Sequence, residues 1–484
     1  MGLFQAIKNW FSNTQQNAAL AKKFGLIYQI DEDIPALIEQ WRNLYMGVDC
    51  KEGVEPSGLS AMISKDLATK ACSELAIAGV SGNAELEDLG IFDDEMLLAI
   101  RQQTEYALAM GFVVMRPYVV DGRVLYSWYT ADRVLPTAWN GRDLTECMLL
   151  DYVTRTEGGS TVIYTKVEAH GYDRADGKYH IKTKLFKNYS YNNATGDYTG
   201  QEVPLTAIEE WAEISPDVVI ENPIAKTFCY MGTPVANNKA LNVPIGVSIF
   251  KDAVPFLKEF DEAFTSAKWE NWAGRAKLFL ADSMIPKKQY NAVNNGKRVV
   301  VDDVNALEQK YYRKMETEST ENLIEPYNPA LRFDSYSNYM NQILHMVCTL
   351  AGLDAGQYVF NEHSQAVTAR EIVSKQQKTY HTIVDIQRYM IKPMVDQIVA
   401  TVRQLELLYS LPAIPENIEL SIDFGDSILT DEETEKQTAQ IEVQTGLRSK
   451  LSYLMDYRGL TEEEAMAELE RIKADQPSFV AEGF

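Results

Sequence analysis

Apolar residues in the last third of the chain recur at the three- and four-residue spacing of a long helix. Between about 366 and 410 they are Ile372, Val373, Tyr380, Ile383, Val384, Ile391, Val395, Ile398, Val399, Val402 and Leu405. Thr368 and Glu371 stand at capping-box spacing near the start of this run. A helix of about 40 residues would measure roughly 60 Å. The pattern therefore favours a protein that reaches across an assembly over a compact single-domain enzyme.

The first half of the chain changes from helical to strand-like periodicity at residue 112. Three apolar stripes predict helices between 30 and 110, one starting at Asp33, one running from Ala61 to Ile77 and one ending at Gly111. Two alternating runs then flank Asp121-Gly122, which predicts a β-hairpin. Further strands are expected around 145–155, 160–170, 179–186 and 226–230. Residues 1–244 are thus predicted to form an α+β unit with a meandering antiparallel sheet.

Two helices with an insertion between them are predicted for residues 245–353. The first, 245–276, carries the packing positions Phe256, Phe260 and Ala263, and Pro255 should bend or delay it. Residues 277–332 contain strand-like runs and turn signals, which indicates a small β insertion. The second helix, 333–353, should stop at Gly352.

The chain of 484 residues is strongly acidic, and its charge is unevenly distributed. Its net charge is −23, and its hydrophobic content of 46% is ample for globular folding. Residues 401–484 hold seven Lys and Arg against eighteen Asp and Glu, a balance of −11. Residues 277–332 hold nine against eight, a balance of +1. Such a chain should not grip nucleic acid, although an acidic wall suits a surface past which DNA slides.

Candidate chemistry is sparse. No P-loop, GxGxxG after a strand, HExxH, CxxC pair or GxSxG occurs, so no catalytic residue, metal or cofactor is predicted. His345 and Cys348 lie one helical turn apart and are interpreted as core residues, as are all five cysteines, which are expected to be reduced. The amphipathic N-terminus MGLFQAIKNWF is expected to dock on a neighbouring element, and no membrane span is expected.

Two basic pairs in the insertion leave two interpretations open. Lys287-Lys288 and Lys297-Arg298 could be ordinary surface residues. Repeated around a ring, they would instead form a positive collar that touches phosphates or an acidic partner.

The order of these segments resembles that of the portal proteins of tailed bacteriophages, most closely the long-tailed type infecting Gram-positive bacteria. The likeness covers essentially the whole chain. It is carried by IGVSIFKDAVPFLKEFDEAFTSAKWE at 245–270, LAGLDAGQYVFNEHSQAVTAREIVSKQQKTYHTI at 350–383 and GLRSKLSYLMDYRGLTEEEAMAELERIKAD at 446–475.

The resemblance implies a mainly helical α+β portal subunit with wing, stem, clip and crown regions. The implied regions are the wing, 1–244; the first stem helix, 245–276; the clip, 277–332; the second stem helix, 333–353; a tunnel loop and long wing helix with a strand, 354–429; and an acidic helical crown, 430–484. The implied DNA-facing loop residues are Gln357, Asn361, Glu362, His363 and Ser364. The basic collar Lys287, Lys288, Lys297 and Arg298 would lie in the clip.

The resemblance also implies a structural role and a set of partners. The subunit would assemble with itself in the host cytoplasm, usually as a dodecamer, and would occupy one capsid vertex of the virion. Double-stranded DNA would pass through it without sequence recognition during packaging and ejection. Terminase, the head–tail adaptor, capsid and scaffolding proteins would be its other partners, with no membrane involved. Another head or connector structural protein is the alternative from the same class, and an uncharacterised hydrolase is the alternative from a different class.

Overall fold

A computed structural model describes most of the chain. The described residues are 14–28, 30, 33–48, 50–81, 84–86, 91–173, 175–189, 200–241, 243–275, 277–281, 287–294, 297–302, 312–315, 324–327, 329–359, 377–411, 414–415, 418–425, 439, 441–443, 445, 448–458 and 461–475. The N-terminal stretch MGLFQAIKNWF and the Thr368–Glu371 capping box lie outside them.

The fold is a mixture of helices and mainly antiparallel sheets. The helices are α1 (Thr14–Lys23), α2 (Asp33–Met46), α3 (Leu59–Cys72), α4 (Asp94–Met110), α5 (Val254–Ala273), α6 (Phe333–Leu350), α7 (Gln377–Ile386), α8 (Lys392–Leu408), α9 (Lys450–Arg458) and α10 (Glu462–Asp475). The strands up to residue 232 are β1 (Ala76–Ser81), β2 (Ala84–Leu86), β3 (Phe112–Val120), β4 (Arg123–Thr130), β5 (Val134–Asn140), β6 (Asp143–Glu157), β7 (Ser160–Tyr172), β8 (Tyr179–Tyr189), β9 (Gln201–Val203), β10 (Asp217–Ile220) and β11 (Cys229–Gly232). The later strands are β12 (Lys277–Ala281), β13 (Lys287–Asn294), β14 (Lys297–Asp302), β15 (Tyr312–Met315), β16 (Ile324–Tyr327) and β17 (Glu419–Asp423).

The strands before residue 244 form separate sheets instead of one meander. β5, β6, β7, β8 and β10 are neighbours in that order, with β9 also paired to β8, while β11, β3 and β4 make a second sheet. The predicted β3–β4 hairpin is confirmed, and Asp121 and Gly122 both have positive φ, 50° and 74°. Positive φ at both turn positions matches the right-handed twist of the strands. The short strands β5, β9 and β10 had not been predicted.

The third sheet corrects the helical interpretation of Ile77. This residue lies in β1, which pairs antiparallel with β17 from the far end of the chain, Ile77 opposite Ile422. Helix α3 ends at Cys72. Two apolar residues beyond that end continued the helical stripe by chance, because a period cannot distinguish a buried strand from a further turn of helix.

The predicted long helix is present from Gln377 to Leu408, and it contains an irregularity. The turn Gln387–Ile391 is π-helical and is followed at once by α8, whose second residue is Pro393. Proline has no backbone N–H, and its ring crowds the carbonyl four residues earlier. The wider turn makes room for the ring and keeps the two halves joined.

One buried cluster runs through most of these elements. It joins α2, α3 and α4 to the β3–β4 hairpin, to α5 and α6, and to α7 and α8. A smaller cluster places α1 on the six-stranded sheet through Leu20, Ala21 and Phe24. Among the described residues, no helix is long and apolar enough to cross a membrane.

Four cysteines are buried, as predicted, but Cys50 is exposed. It lies in the connection between α2 and α3, outside the apolar helix faces, which is why the core interpretation was wrong there.

Candidate functional site

The helices α5 and α6 pack against each other as a pair. Helix α5 starts at Val254 with Pro255 in its first turn, so proline delays the helix, as predicted. Phe260 and Ala263 are buried in the same cluster as Leu344 and Val347 of α6. Phe256 is partly buried against that cluster. These predicted packing residues therefore lie in a contact within one subunit.

The outward side of the pair exposes large apolar side chains. Trp269 is 66% exposed, Phe333 is 62% exposed and Met346 is 43% exposed. On α6, Tyr339, Met346 and Leu350 are spaced by seven and four residues, so they share one face of the helix. Large apolar side chains exposed on both helices are typical of a surface that another protein covers.

His345 and Cys348 point in different directions. Cys348 is buried in the core, whereas His345 is exposed. The core interpretation of His345 was therefore wrong, because the neighbouring apolar residue Met346 also faces outward.

An ion pair joins the two ends of the insertion. The Arg332 backbone N–H donates to Glu270 Oε1 at 3.0 Å, and an Arg332 guanidinium nitrogen donates to Glu270 Oε2 at 2.7 Å. The guanidinium lowers the pKa of Glu270 to about 2. Glu270 lies near the end of α5, and Arg332 directly precedes α6. Their bidentate contact therefore holds the two ends of the insertion together.

The insertion has the strands that the sequence predicts. β12 is the central strand of a three-stranded sheet, parallel to β15 and antiparallel to β16. β13 and β14 form a separate hairpin. Lys288 pairs with Val301, and Lys297 pairs with Asn294 near the other end. Positions 288 and 294 on β13 are six residues apart along the strand, a distance of about 20 Å at the usual rise of a strand. The two basic pairs therefore occupy opposite ends of the hairpin.

Only the start of the predicted DNA-facing loop, residues 354–359, belongs to the described residues. Gln357 is tied into the subunit, since its Nε2 donates to Asp66 Oδ2 at 3.1 Å and its Oε1 accepts from Thr379 Oγ1 at 3.2 Å. The other predicted loop residues, Asn361, Glu362, His363 and Ser364, lie outside the described residues.

A contact that the sequence did not predict links the α2–α3 connection to α5. Ser57 N and Ser57 Oγ both donate to Asp261 Oδ1, at 2.8 and 2.5 Å. Lys51 pairs with Glu262, and Lys268 pairs with Glu55. No local pattern marks these residues, because each pair is separated by more than two hundred positions.

The sequence also did not predict a buried ionic cluster around Glu168. Glu168, on β7, contacts Arg116 from β3 and His170, whose Nε2 lies 2.8 Å from Glu168 Oε1. Arg116 and the His170 contact lower the pKa of Glu168 to about 2, against the effect of burial. The cluster joins the hairpin sheet to the six-stranded sheet and is enclosed, so we interpret it as structural.

Asp173, Asp176 and His180 place three potential ligand atoms close together. Each of these groups is already engaged. Asp173 pairs with Lys182, Asp176 accepts from the Lys178 backbone N–H at 2.9 Å, and His180 lies between Asp176 and Asp217. Charged and hydrogen-bonded partners thus occupy the oxygens and ring nitrogens that a metal would need.

Comparison with known proteins identifies a family. Residues 100–478 match the family model described as "Phage portal protein, SPP1 Gp6-like". The matched range includes the helix pair, the insertion and the long helix. No curated protein matches the chain.

Proposed function

The chain belongs to the SPP1 Gp6-like family of phage portal proteins, and on that premise we propose that it is a subunit of the portal ring at one capsid vertex. The ring is the conduit through which double-stranded DNA enters during packaging and leaves during ejection. It also provides the docking site for terminase and then for the head–tail adaptor. A dodecamer is the expected assembly.

The observation that carries this proposal, beside the family match, is the exposed apolar surface of the α5–α6 pair. Trp269 lies on α5, while Met346 and Leu350 lie on α6, so the exposed side chains are divided between two helices. When two different surfaces of one subunit meet in successive copies, the contact is heterologous, and such contacts close into a ring if the rotation allows it. The buried residues Phe260 and Ala263 hold the pair itself together.

Electron microscopy of the purified full-length protein tests this proposal directly. Negatively stained particles should be rings with a central hole, and their mass should be a fixed multiple of the 54.7 kDa subunit. A single monomeric species at micromolar concentration would contradict it.

We further propose that the segment between α6 and α7 faces DNA in the channel. The residues that flank this segment are held together, since the Asp354 and Thr379 backbone N–H groups each donate to a side-chain oxygen of the other residue. A double variant, Asn361→Lys with Ser364→Lys, would add two positive charges per subunit around the passing DNA. These charges should bind the DNA phosphates.

Packaged DNA per particle, measured at equal ring yield, distinguishes a channel position from an outer one. We expect the lysine variant to package less DNA or to release it more slowly. A matched variant with lysines at the exposed positions Leu241 and Ile224 should package normally. Equal packaging by both variants would place the segment outside the channel.

A further inference from the structure

Helix α3 and the residues just before it contact three segments from the second half of the chain. Just before its start, Ser57 donates to Asp261 of α5. In its middle, Asp66 accepts hydrogen bonds from the α6–α7 connection. Near its end, the Ala71 carbonyl accepts from Gln387 Nε2 in the π-helical turn at 3.3 Å. Residues 57–71 therefore contact α5, the α6–α7 connection and the long helix.

Three donors converge on one oxygen of Asp66. Oδ2 accepts from Lys70 Nζ at 2.8 Å, from the Tyr358 hydroxyl at 2.7 Å and from Gln357 Nε2 at 3.1 Å. Burial and the Asp66 carboxylate raise the pKa of Tyr358, so its hydroxyl remains a donor at neutral pH. A carboxylate accepts only, and hydrogen bonds to a charged group are stronger than those between neutral groups.

The chain of hydrogen bonds continues to the long helix. Gln357 Oε1 accepts from the Thr379 hydroxyl, whose oxygen accepts in turn from the Asp354 backbone N–H at 3.0 Å. The Thr379 backbone N–H donates to Asp354 Oδ2, also at 3.0 Å. Thr379 is buried. Through these bonds Asp66, Gln357 and Thr379 form a continuous relay from α3 to the first turn of α7.

We propose that Asp66 is a positioning residue that fixes the beginning of the α6–α7 connection and, through Gln357, the described start of the long helix against α3. A displacement of the α5–α6 pair is then passed to the long helix through α3, which is anchored to α5 at Ser57 and to the π-helical turn at Ala71. The consequence for DNA passage rests on the proposed portal function, whereas the positioning role does not.

Hydrogen–deuterium exchange on the full-length protein tests the positioning role. Asp66→Ala removes the acceptor of three donors, so amides in Gln377–Ile386 should exchange about 10 to 100 times faster than in the wild type. Lys70→Ala is the matched control, because it removes one donor and leaves the Tyr358 and Gln357 bonds intact. Asp66→Asn keeps an acceptor oxygen and should resemble the wild type more than Asp66→Ala does.

Two further comparisons distinguish a failure of the Asp66 inference from a failure of the portal proposal. Tyr358→Phe removes a single hydroxyl from a side chain packed on the core, so it should accelerate exchange in the same segment without unfolding the subunit. Unchanged exchange in both Asp66→Ala and Tyr358→Phe, with folded protein, would overturn the inference. Failure of the wild type to form rings would contradict the portal proposal. The exchange result would still decide whether Asp66 is a positioning residue.

Discussion

His170 and His180 lie on the neighbouring strands β7 and β8, one step apart in register, and their pKa values shift in opposite directions. His170 pairs with Ile181, and His180 pairs with Gly171, so the two rings are on opposite faces of the sheet. Burial lowers the pKa of His170. Asp217, and after it Asp176, raise the pKa of His180. One sheet thus holds one neutral and one readily protonated histidine.

We expect His180 to stabilise the fold at acidic pH and to lose this effect as pH rises. Its folded pKa lies above the ordinary value of 6.5. The stabilisation is therefore complete below pH 6.5 and is lost as pH rises through the folded pKa. His180→Gln should lower the melting temperature more at pH 5.5 than at pH 8.5. Equal losses at both pH values would contradict the assignment.

His170 should act in the opposite sense. Its Nε2 faces Glu168, which can only accept, so Nε2 carries the proton and Nδ1 accepts from the Thr227 hydroxyl at 2.6 Å. The folded state keeps this ring neutral below pH 6.5, whereas the unfolded chain binds a proton there. Stability should therefore fall as pH drops below 6.5, and Glu168, with a pKa of about 2, should add a further loss below pH 4.5. Denaturation midpoints of the wild type and His170→Gln, from pH 7.5 to 5, test this. A slope that His170→Gln does not reduce would refute it.

Gly111→Ala should be strongly destabilising. Gly111 ends α4 with φ +106°, and a Cβ there would lie 2.5 Å from the Gly246 carbonyl oxygen. Backbone strain and overlap together should cost about 2–5 kcal/mol in the free energy of unfolding. Gly53→Ala is the control, since Gly53 has φ +80° and open space around it. Its cost should be only about 1–2 kcal/mol. Urea unfolding of both variants gives the comparison.

Buried and exposed positions of the α5–α6 pair should respond differently to a charge. Phe260→Asp places a carboxylate in the core, so the subunit itself should lose roughly 4 kcal/mol or more. Met346→Asp and Trp269→Asp should leave the monomer stable and block ring formation. Leu241, which is 88% exposed and lies outside the pair, gives the control Leu241→Asp, which should still form rings. Denaturation curves and mass photometry separate the two effects. Rings formed by both Met346→Asp and Trp269→Asp would exclude this surface as the subunit interface.

Local chemistry in the sequence determined many of the elements. Gly111 and Gly352 end helices where a left-handed or similarly unusual φ is needed, and Asp121-Gly122 closes the hairpin. Apolar spacing located α5, α6 and the part of the long helix from Gln377 to Leu408. These signals act within a few residues, so they can be recognised in the sequence itself. The order of these segments also carried the resemblance to the portal family.

Only the tertiary structure decided which distant segments meet. β17 pairs with β1 across more than three hundred residues, the Glu168 cluster joins two sheets, and Asp66 holds Gln357 and Tyr358. None of these pairings has a local period, because each depends on where the chain returns after long excursions. For the same reason the sequence did not predict the partners of Gln357, which is hydrogen-bonded to Asp66 and Thr379. Sequence spacing determines which residues share a face, whereas the packed fold determines what that face contacts.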